Sequence, residues 1–146
     1  MSEQTRTEAR VGETLPGWEL PLTTTLVVST ALATRDFQDV HHDRDRAVGA
    51  GSKDIFLNIL TTTGLVQRYI GAWAGPRAMI RSCELRLGAP AYPGDTLVFS
   101  GAVTEVGEVD GERRHVVEVV GAVSLGAHVT SRVTVALDPA TGGSAR

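Results

Sequence analysis

Cysteine is almost missing from this sequence, since Cys83 is the single one among 146 residues. A lone thiol cannot form a disulfide within the chain or supply a multi-cysteine zinc site. Its neighbours Ser82 and Glu84 offer no stabilisation for a thiolate, so we expect Cys83 to be structural.

Long apolar runs and a basic leader are also missing. No stretch approaches the ~20 apolar residues that span a bilayer, although 42% of the residues are hydrophobic. The start, MSEQTRTEARVGE, lacks the basic cap and apolar stretch of a secretory signal. We therefore expect a soluble, cytoplasmic protein with no membrane association.

An excess of positive charge is absent as well. The net charge is −3 and the pI is about 5.8. Nucleic-acid binding depends largely on neutralising phosphates, so this balance excludes a general affinity for nucleic acid. An anionic ligand would need a local basic patch.

The length predicts one domain. Residues 1–16 are polar and aperiodic, and 138–146 (DPATGGSAR) are rich in Gly, Ser and Pro, so we expect two flexible ends. The folded domain should span 17–137, where no repeat or linker is visible.

The first half of that domain predicts short elements. TTTLVVST, residues 23–30, is rich in β-branched side chains and predicts a strand, followed by a short helix from about Ala31 to Phe37. Asp43 is expected to cap a second short helix that runs through Val48 and is ended by glycine.

One long helix is predicted next, from KDIFLNILTTTGLVQRYIGAWA, because its apolar residues recur near helical spacing. We expect Trp73, Tyr69 and Phe56 to belong to the core rather than to a ligand platform. Strands joined by short turns follow, at residues 78–88, 96–109, 113–126 and 127–137. This order predicts an α+β domain in which the helix covers one face of a curled antiparallel sheet.

The segment DFQDVHHDRDRA, which begins at Asp36, concentrates acidic residues and two of the four histidines. Taken alone, an Asp and a His five residues apart, such as Asp36 and His41, are more often a capping carboxylate and a surface or core histidine than a catalytic pair. A metal site at His42, Asp43 and Asp45 is an alternative, because imidazole and carboxylate are common ligands. Adjacent histidines rarely converge on one ion, so a capping role for Asp43 and a solvated Asp45 are favoured.

Nearby, GAGSK lacks the glycine spacing and Lys-Ser order of a phosphate loop.

The same segment resembles the signature of the MaoC-like (R)-specific enoyl-CoA hydratases, Asp-x-Asn-Pro-aliphatic-His with a later Ala or Ser. Asp36, His41 and Ala47 keep the required intervals, whereas Gln38 stands for Asn and Asp39 for Pro. The family commonly carries His-Gly where the long helix begins, and this chain has Leu57-Asn58 there.

This resemblance implies a single hotdog fold, a long central helix wrapped by a curled antiparallel β-sheet. It also implies that Asp36 and His41 are catalytic and hold the water that adds to an enoyl-CoA thioester, with no cofactor and no metal. Charge on the thioester oxygen needs a donor, and we expect the backbone amides of Leu57 and Asn58, at the helix start, to supply it.

Three longer segments, STALATRDFQDVHHDRDRAV, GSKDIFLNILTTTGLVQRYI and LRLGAPAYPGDTLVFSG, resemble one branch of the family. That branch is the small MaoC-like subunit of an actinobacterial hydratase acting on CoA thioesters of a shortened steroid side chain. It implies a second MaoC-like subunit in a heteromeric complex, a heterotetramer, that shares the acyl-CoA site. Arg77, Arg81 and Arg86 could reach CoA phosphates or form a solvated face.

Two other functions remain open. The departures at Gln38 and Asp39 are compatible with a non-catalytic acyl-CoA-binding partner subunit, and a hotdog acyl-CoA thioesterase would need a carboxylate near the thioester carbonyl. Loss of the enoyl-thioester absorbance, release of thiol, or binding alone would distinguish the three.

Overall fold

The computed structural model describes residues 5–139 and contains five strands and three α-helices in that range. A 3-10 turn, Asp39–His41, lies between the first two helices. The elements, in chain order, are β1 Trp18–Pro21, α1 Thr24–Ala33, α2 Arg44–Gly49, α3 Ile59–Ala74, β2 Met79–Leu87, β3 Thr96–Val109, β4 Glu112–Val123 and β5 Gly126–Ala136.

The five strands form one antiparallel sheet in the order β1-β3-β4-β5-β2. Alternate residues of β4 and β5 are buried, so one face of the sheet carries the core. That face receives α3, whose Tyr69 ring stacks on Phe99 at a centroid distance of 5.5 Å. The long helix against a curled sheet confirms the expected α+β hotdog architecture, and Trp73 and Tyr69 are core residues as expected.

The strand predicted for residues 23–30 is wrong, because Thr24–Ala33 is the helix α1. Thr23 caps it by accepting a hydrogen bond from the N–H of Leu26 at 3.0 Å. Its two buried residues, Val27 and Ala31, are four apart and share one helix face. Burial of that face outweighs the weak strand preference of the β-branched side chains. The helix predicted from Ala31 to Phe37 is therefore only the end of α1.

The second and third helices follow the sequence more closely. The Asp43 carboxylate accepts from the N–H of Arg46 at 3.1 Å and caps α2, as predicted. The long helix was predicted from Lys53 but begins at Ile59, because Asn58 caps it. Residues 53–58 instead lack regular structure, and the N–H of Leu57 donates to the carbonyl oxygen of Ala91 in the loop between β2 and β3.

The prediction that residues 1–16 are flexible is wrong for the second half of that segment. Ala9 and Leu15 are buried. The N–H groups of Gly12 and Leu15 donate to β3 carbonyl oxygens at 2.8 and 2.9 Å, and Thr14 bridges to Ala102. Because β1 pairs only with residues 96–99 of the much longer β3, the next part of that edge is free to pair with residues 12–15. Residues 1–4 of the expected N-terminal segment and residues 140–146 of the expected C-terminal tail lie outside the described range.

Charged side chains pair with one another away from the core. Arg77 Nη2 lies 3.1 Å from Asp138 Oδ2, and Arg81 of β2 pairs with Glu112 at the start of β4. These two arginines therefore have protein partners. In the part of the chain that the structure describes, no helix combines the length and the apolar character needed to cross a membrane.

Candidate active site

Asp36 lies just beyond the end of α1, in a turn set by its neighbours. The N–H of Arg35 donates to Leu32 at 3.0 Å, and that of Asp36 donates to Ala31 at 2.9 Å. These bonds form the Schellman turn that commonly ends helices, and they place Arg35 at a φ of +59°. The reversal brings the Asp36 carboxylate to the beginning of α3, where the Asn58 side chain donates to it.

His41 closes the 3-10 turn and is buried. Its Nδ1 lies 2.7 Å from the carbonyl oxygen of Phe56, and the Phe56 ring meets the imidazole edge-on. A carbonyl oxygen only accepts hydrogen bonds, so Nδ1 carries the proton. His41 Nε2 lies 3.4 Å from Asp36 Oδ2, and it carries a free lone pair whenever the ring is neutral.

The pKa of Asp36 is held below its ordinary value. The hydrogen bond from Asn58 is the main cause, burial opposes it, the N–H of Gln38 lowers the pKa further, and His41 does so when its ring is protonated. Asp36 is therefore a carboxylate at neutral pH. Carboxylate Oδ2 and the bare Nε2 of His41 are both acceptors, and a water that donates one O–H to each satisfies both.

The first turn of α3 supplies backbone donors, although not at both predicted positions. The N–H of Leu57, one of the two predicted donors, is engaged elsewhere, because it donates to the carbonyl oxygen of Ala91 at 3.0 Å. The N–H of Thr61 donates to Asn58 Oδ1 at 3.2 Å. Within residues 5–139, the N–H groups of 58–60 have no acceptor. These three amides, which include the predicted Asn58, are the orphan donors of the helix N-terminus.

Asp36 and His41 open into a cavity of about 310 Å³. Its lining is largely apolar and comes from both sides of the sheet edge: Asp36, Gln38, His41, Phe56, Leu57, Ile59, Leu87, Gly88, Ala89, Pro90 and His128. Phe56, expected in the core, therefore belongs to this pocket. A larger cavity, about 770 Å³, lies near residues 71–76 and lacks a histidine in its lining.

The structure also brings His128 to this site. It is buried, its Nδ1 lies 2.8 Å from the carbonyl oxygen of Ala89, and its Nε2 lies 2.8 Å from Thr62 Oγ1. Burial lowers the pKa of His128. A neutral His128 thus donates to Ala89, accepts from Thr62 and fixes one pocket wall to α3. No local sequence pattern around His128 predicts this role, because both of its hydrogen-bond partners are distant in sequence.

Four exposed apolar side chains either line this cavity or neighbour its lining residues in sequence. Ile59 and Leu87 line it and are 49% and 39% exposed, and Phe37, next to Asp36, is 61% exposed. Leu60, which follows Ile59, is 52% exposed. Exposed apolar side chains in and beside a cavity lining are typical of a binding region for a ligand or another chain. These four side chains are called the apolar rim below.

The other polar residues in this segment have different roles. Asp39 lies on the outer side of the turn, 3.6 Å from Arg46 and 3.8 Å from His42. Asp43 is used as a helix cap. Within the described part of the chain, no three His, Cys, Asp or Glu side chains are grouped in a way that could hold a metal ion.

A long helix wrapped by one antiparallel sheet, with an Asp–His pair at the helix N-terminus, defines a hotdog-fold protein. Two solved structures support this class at the level of the fold alone. The R-hydratase PhaJ1 of Pseudomonas aeruginosa matches with a TM-score of 0.79 at 19% identity, over 90% of this chain and 84% of that one. The (R)-hydratase of A. caviae involved in PHA biosynthesis matches with 0.78 at 17%, over 89% and 98%.

The chain belongs to the MaoC like domain family, which its residues 6–125 match. It is 60% identical over 127 residues to the 3-oxo-4,17-pregnadiene-20-carboxyl-CoA hydratase beta subunit of Mycobacterium tuberculosis, covering 87% of this chain and 95% of that one. The crystal structure of the ChsH1-ChsH2 complex from the same organism matches with a TM-score of 0.84 and 57% identity, over 88% of this chain and 98% of that one. The family resemblance read from the sequence is confirmed.

Proposed function

We propose that this chain is the catalytic subunit of an enoyl-CoA hydratase, which adds water across the double bond of a trans-2-enoyl-CoA thioester. The observation that carries the proposal is the 3.4 Å approach of His41 Nε2 to Asp36 Oδ2 at the wall of an apolar cavity. Two acceptors at that distance hold a water by its two protons and leave its oxygen lone pairs free to attack.

The reaction needs one base and one acid, and this pair can serve as both. As the water oxygen forms its bond to the β-carbon, one water proton passes to Asp36 or His41 and the π electrons move towards the thioester oxygen. The protonated member of the pair then gives a proton to the α-carbon as the thioester carbonyl re-forms, so the sum is the addition of H₂O and the pair is regenerated. His41 takes part through Nε2 alone, because its Nδ1–H is bound to Phe56. No electrons are gained or lost, so this chemistry requires no redox cofactor.

Negative charge on the thioester oxygen would be met by the amides of residues 58–60. Their N–H groups have no acceptor within the described residues, and they begin a helix of 16 residues whose dipole favours an anion. Of the two amides expected from the sequence, only that of Asn58 is available. The arrangement is an oxyanion hole made of backbone donors, which requires no particular side chain.

The substrate that fits best is the CoA thioester of a shortened steroid side chain. The support is the 60% identity to a subunit named for such a substrate, together with the apolar rim at the cavity mouth. A cavity of about 310 Å³ is also smaller than a steroid acyl-CoA requires, so most of that ligand would lie outside it.

A second MaoC-like subunit would cover the apolar rim and share the ligand. The likeness to a chain in the ChsH1-ChsH2 complex supports a heteromer, and we expect a heterotetramer. β2 is a sheet edge, and such edges are commonly paired or covered.

The test is co-expression with a MaoC-like partner, followed by assays on a steroid enoyl-CoA and a plain fatty enoyl-CoA. Loss of the enoyl-thioester absorbance without thiol release is the expected result. Thiol release instead would identify a thioesterase. Tight binding with neither reaction would identify a non-catalytic acyl-CoA-binding subunit.

A further inference from the structure

We propose that the Asn58 side chain is a positioning residue for this chemistry, orienting the Asp36 carboxylate towards His41 and favouring its charged form. The catalytic meaning of this inference rests on the proposed function. The hydrogen bonds that support it do not, and they can be tested separately.

The orientation of the Asn58 carboxamide is fixed by the helix that it caps. Its Oδ1 accepts the N–H of Thr61 at 3.2 Å, so Nδ2 must lie on the opposite side. There Nδ2 donates to Thr34 Oγ1 at 2.9 Å and to Asp36 Oδ2 at 3.1 Å. Asn58 is 1% exposed, so losing a partner would leave a buried polar group unsatisfied.

Asn58 bonds the same carboxylate oxygen that approaches His41. Asp36 Oδ2 receives Nδ2 of Asn58 and lies 3.4 Å from Nε2 of His41, whereas Oδ1 receives the N–H of Gln38. The carboxylate is thereby held at both oxygens and cannot rotate freely. Donors to a carboxylate stabilise its ionised form, and Asn58 is the largest cause of the lowered pKa of Asp36.

The titratable groups near Asp36 are few. His41 faces it from the 3-10 turn, and His128 lines the same cavity from β5. Arg35 precedes Asp36 and is exposed. Asn58 is not titratable. Replacing it with another neutral residue therefore removes the donor to Asp36 without changing the charge of the site.

One residue thus connects the two halves of the site. Asn58 begins α3, whose free amides are proposed to bind the thioester oxygen, and it also bonds the carboxylate proposed to hold the water. The Asn58 side chain therefore links the position of the Asp36 carboxylate to that of the α3 amides. Small misplacements of reacting groups lower the reaction rate strongly.

Three variants in the complete chain with its partner subunit test this inference. Asn58→Ser retains a hydroxyl for the cap of α3 but cannot reach Asp36. Asn58→Asp retains the shape and the cap but replaces the donor with a second carboxylate. Thr34→Val is the matched control, because it removes the other acceptor of Asn58 Nδ2 and leaves the bond to Asp36 in place.

Two readouts are used. The first is the pH profile of kcat/KM, in which both Asn58 variants should move the acid limb to higher pH and lower the neutral-pH value by roughly 10- to 100-fold. The second is the ¹³C titration of the Asp36 carboxyl, identified by its loss in Asp36→Asn, whose midpoint should move in the same direction. Thr34→Val should leave both unchanged.

An unmoved titration midpoint in both Asn58 variants would overturn the inference. So would variants that lose only thermal stability, because a purely structural cap predicts that outcome. If the wild-type complex hydrates none of the substrates, the proposed function fails by itself, and the carboxyl titration still decides whether Asn58 controls Asp36.

Discussion

The Nδ1 atom of His41 donates to the carbonyl oxygen of Phe56, 2.7 Å away. The same Phe56 presents its ring edge to the imidazole, so one residue fixes both the tautomer and the plane of His41. Because Phe56 lies three residues before α3, the orientation of the proposed base depends on how the chain enters that helix.

Replacing either member of the Asp–His pair should abolish most of the activity without unfolding the chain. We expect Asp36→Asn and His41→Gln each to lower kcat by at least about 10²-fold, the usual loss for an acid/base group. The measurement is steady-state hydration by the complex. Binding of a saturated acyl-CoA and the thermal transition should stay close to wild type, and near-normal turnover by either variant would contradict the assignment.

The turn before Asp36 depends on the positive φ of Arg35. A β-branched residue adopts that conformation poorly, so Arg35→Val should lower the free energy of unfolding by about 1–2 kcal/mol and reduce kcat by displacing Asp36. Glycine adopts it readily, and Arg35→Gly should remain within about 1 kcal/mol of wild type. Urea unfolding of both variants is the measurement, and equal stabilities would argue against the turn as described.

Gly88 is required by a close contact in the cavity wall. A Cβ at this position would lie 2.4 Å from the carbonyl oxygen of Ala127, so Gly88→Ala must displace backbone at the junction of β2 and β5. We expect it to be clearly destabilising and to lower activity. Gly64→Ala is the matched control, because a Cβ there meets nothing within 4 Å and the position lies inside α3. It should stabilise the fold by about 0.5–1 kcal/mol. Equal effects of the two would refute the contact.

The buried histidines predict how stability depends on pH. Burial lowers the pKa of His115 and of His128 below the ordinary 6.5. The unfolded chain therefore binds more protons between the folded-state pKa and 6.5, so the stabilisation is complete above pH 6.5 and is lost as the pH falls below it. Urea unfolding at pH 7.5 and pH 5.5 should show this loss, and His115→Leu should reduce it. A pH-independent wild type would contradict the prediction.

Local signals in the sequence predicted the elements that depend on local interactions. Asp43 and the glycines after Val48 predict α2 through local capping, and the turn residues between β3, β4 and β5 predict that antiparallel meander. The Asp36 and His41 spacing became meaningful only through the family resemblance, since five residues of separation do not determine where the two side chains point.

Long-range contacts account for what was missed. Asn58 bonds Thr34 and Asp36, which are 24 and 22 residues away, and His128 bonds Thr62 across 66 residues. No periodicity or cap rule encodes such pairs. The strand prediction for α1 fails for a related reason. The conformation of its β-branched residues is determined by packing rather than by their strand propensity.

Residues 12–15 cover the part of β3 that β1 leaves uncovered. A chain shortened to begin at residue 17 would expose the backbone groups of residues 101–103 to any extended peptide nearby. The expected consequence is self-association through strand addition rather than loss of the fold. Residues 12–15 therefore protect this edge of the sheet from aggregation.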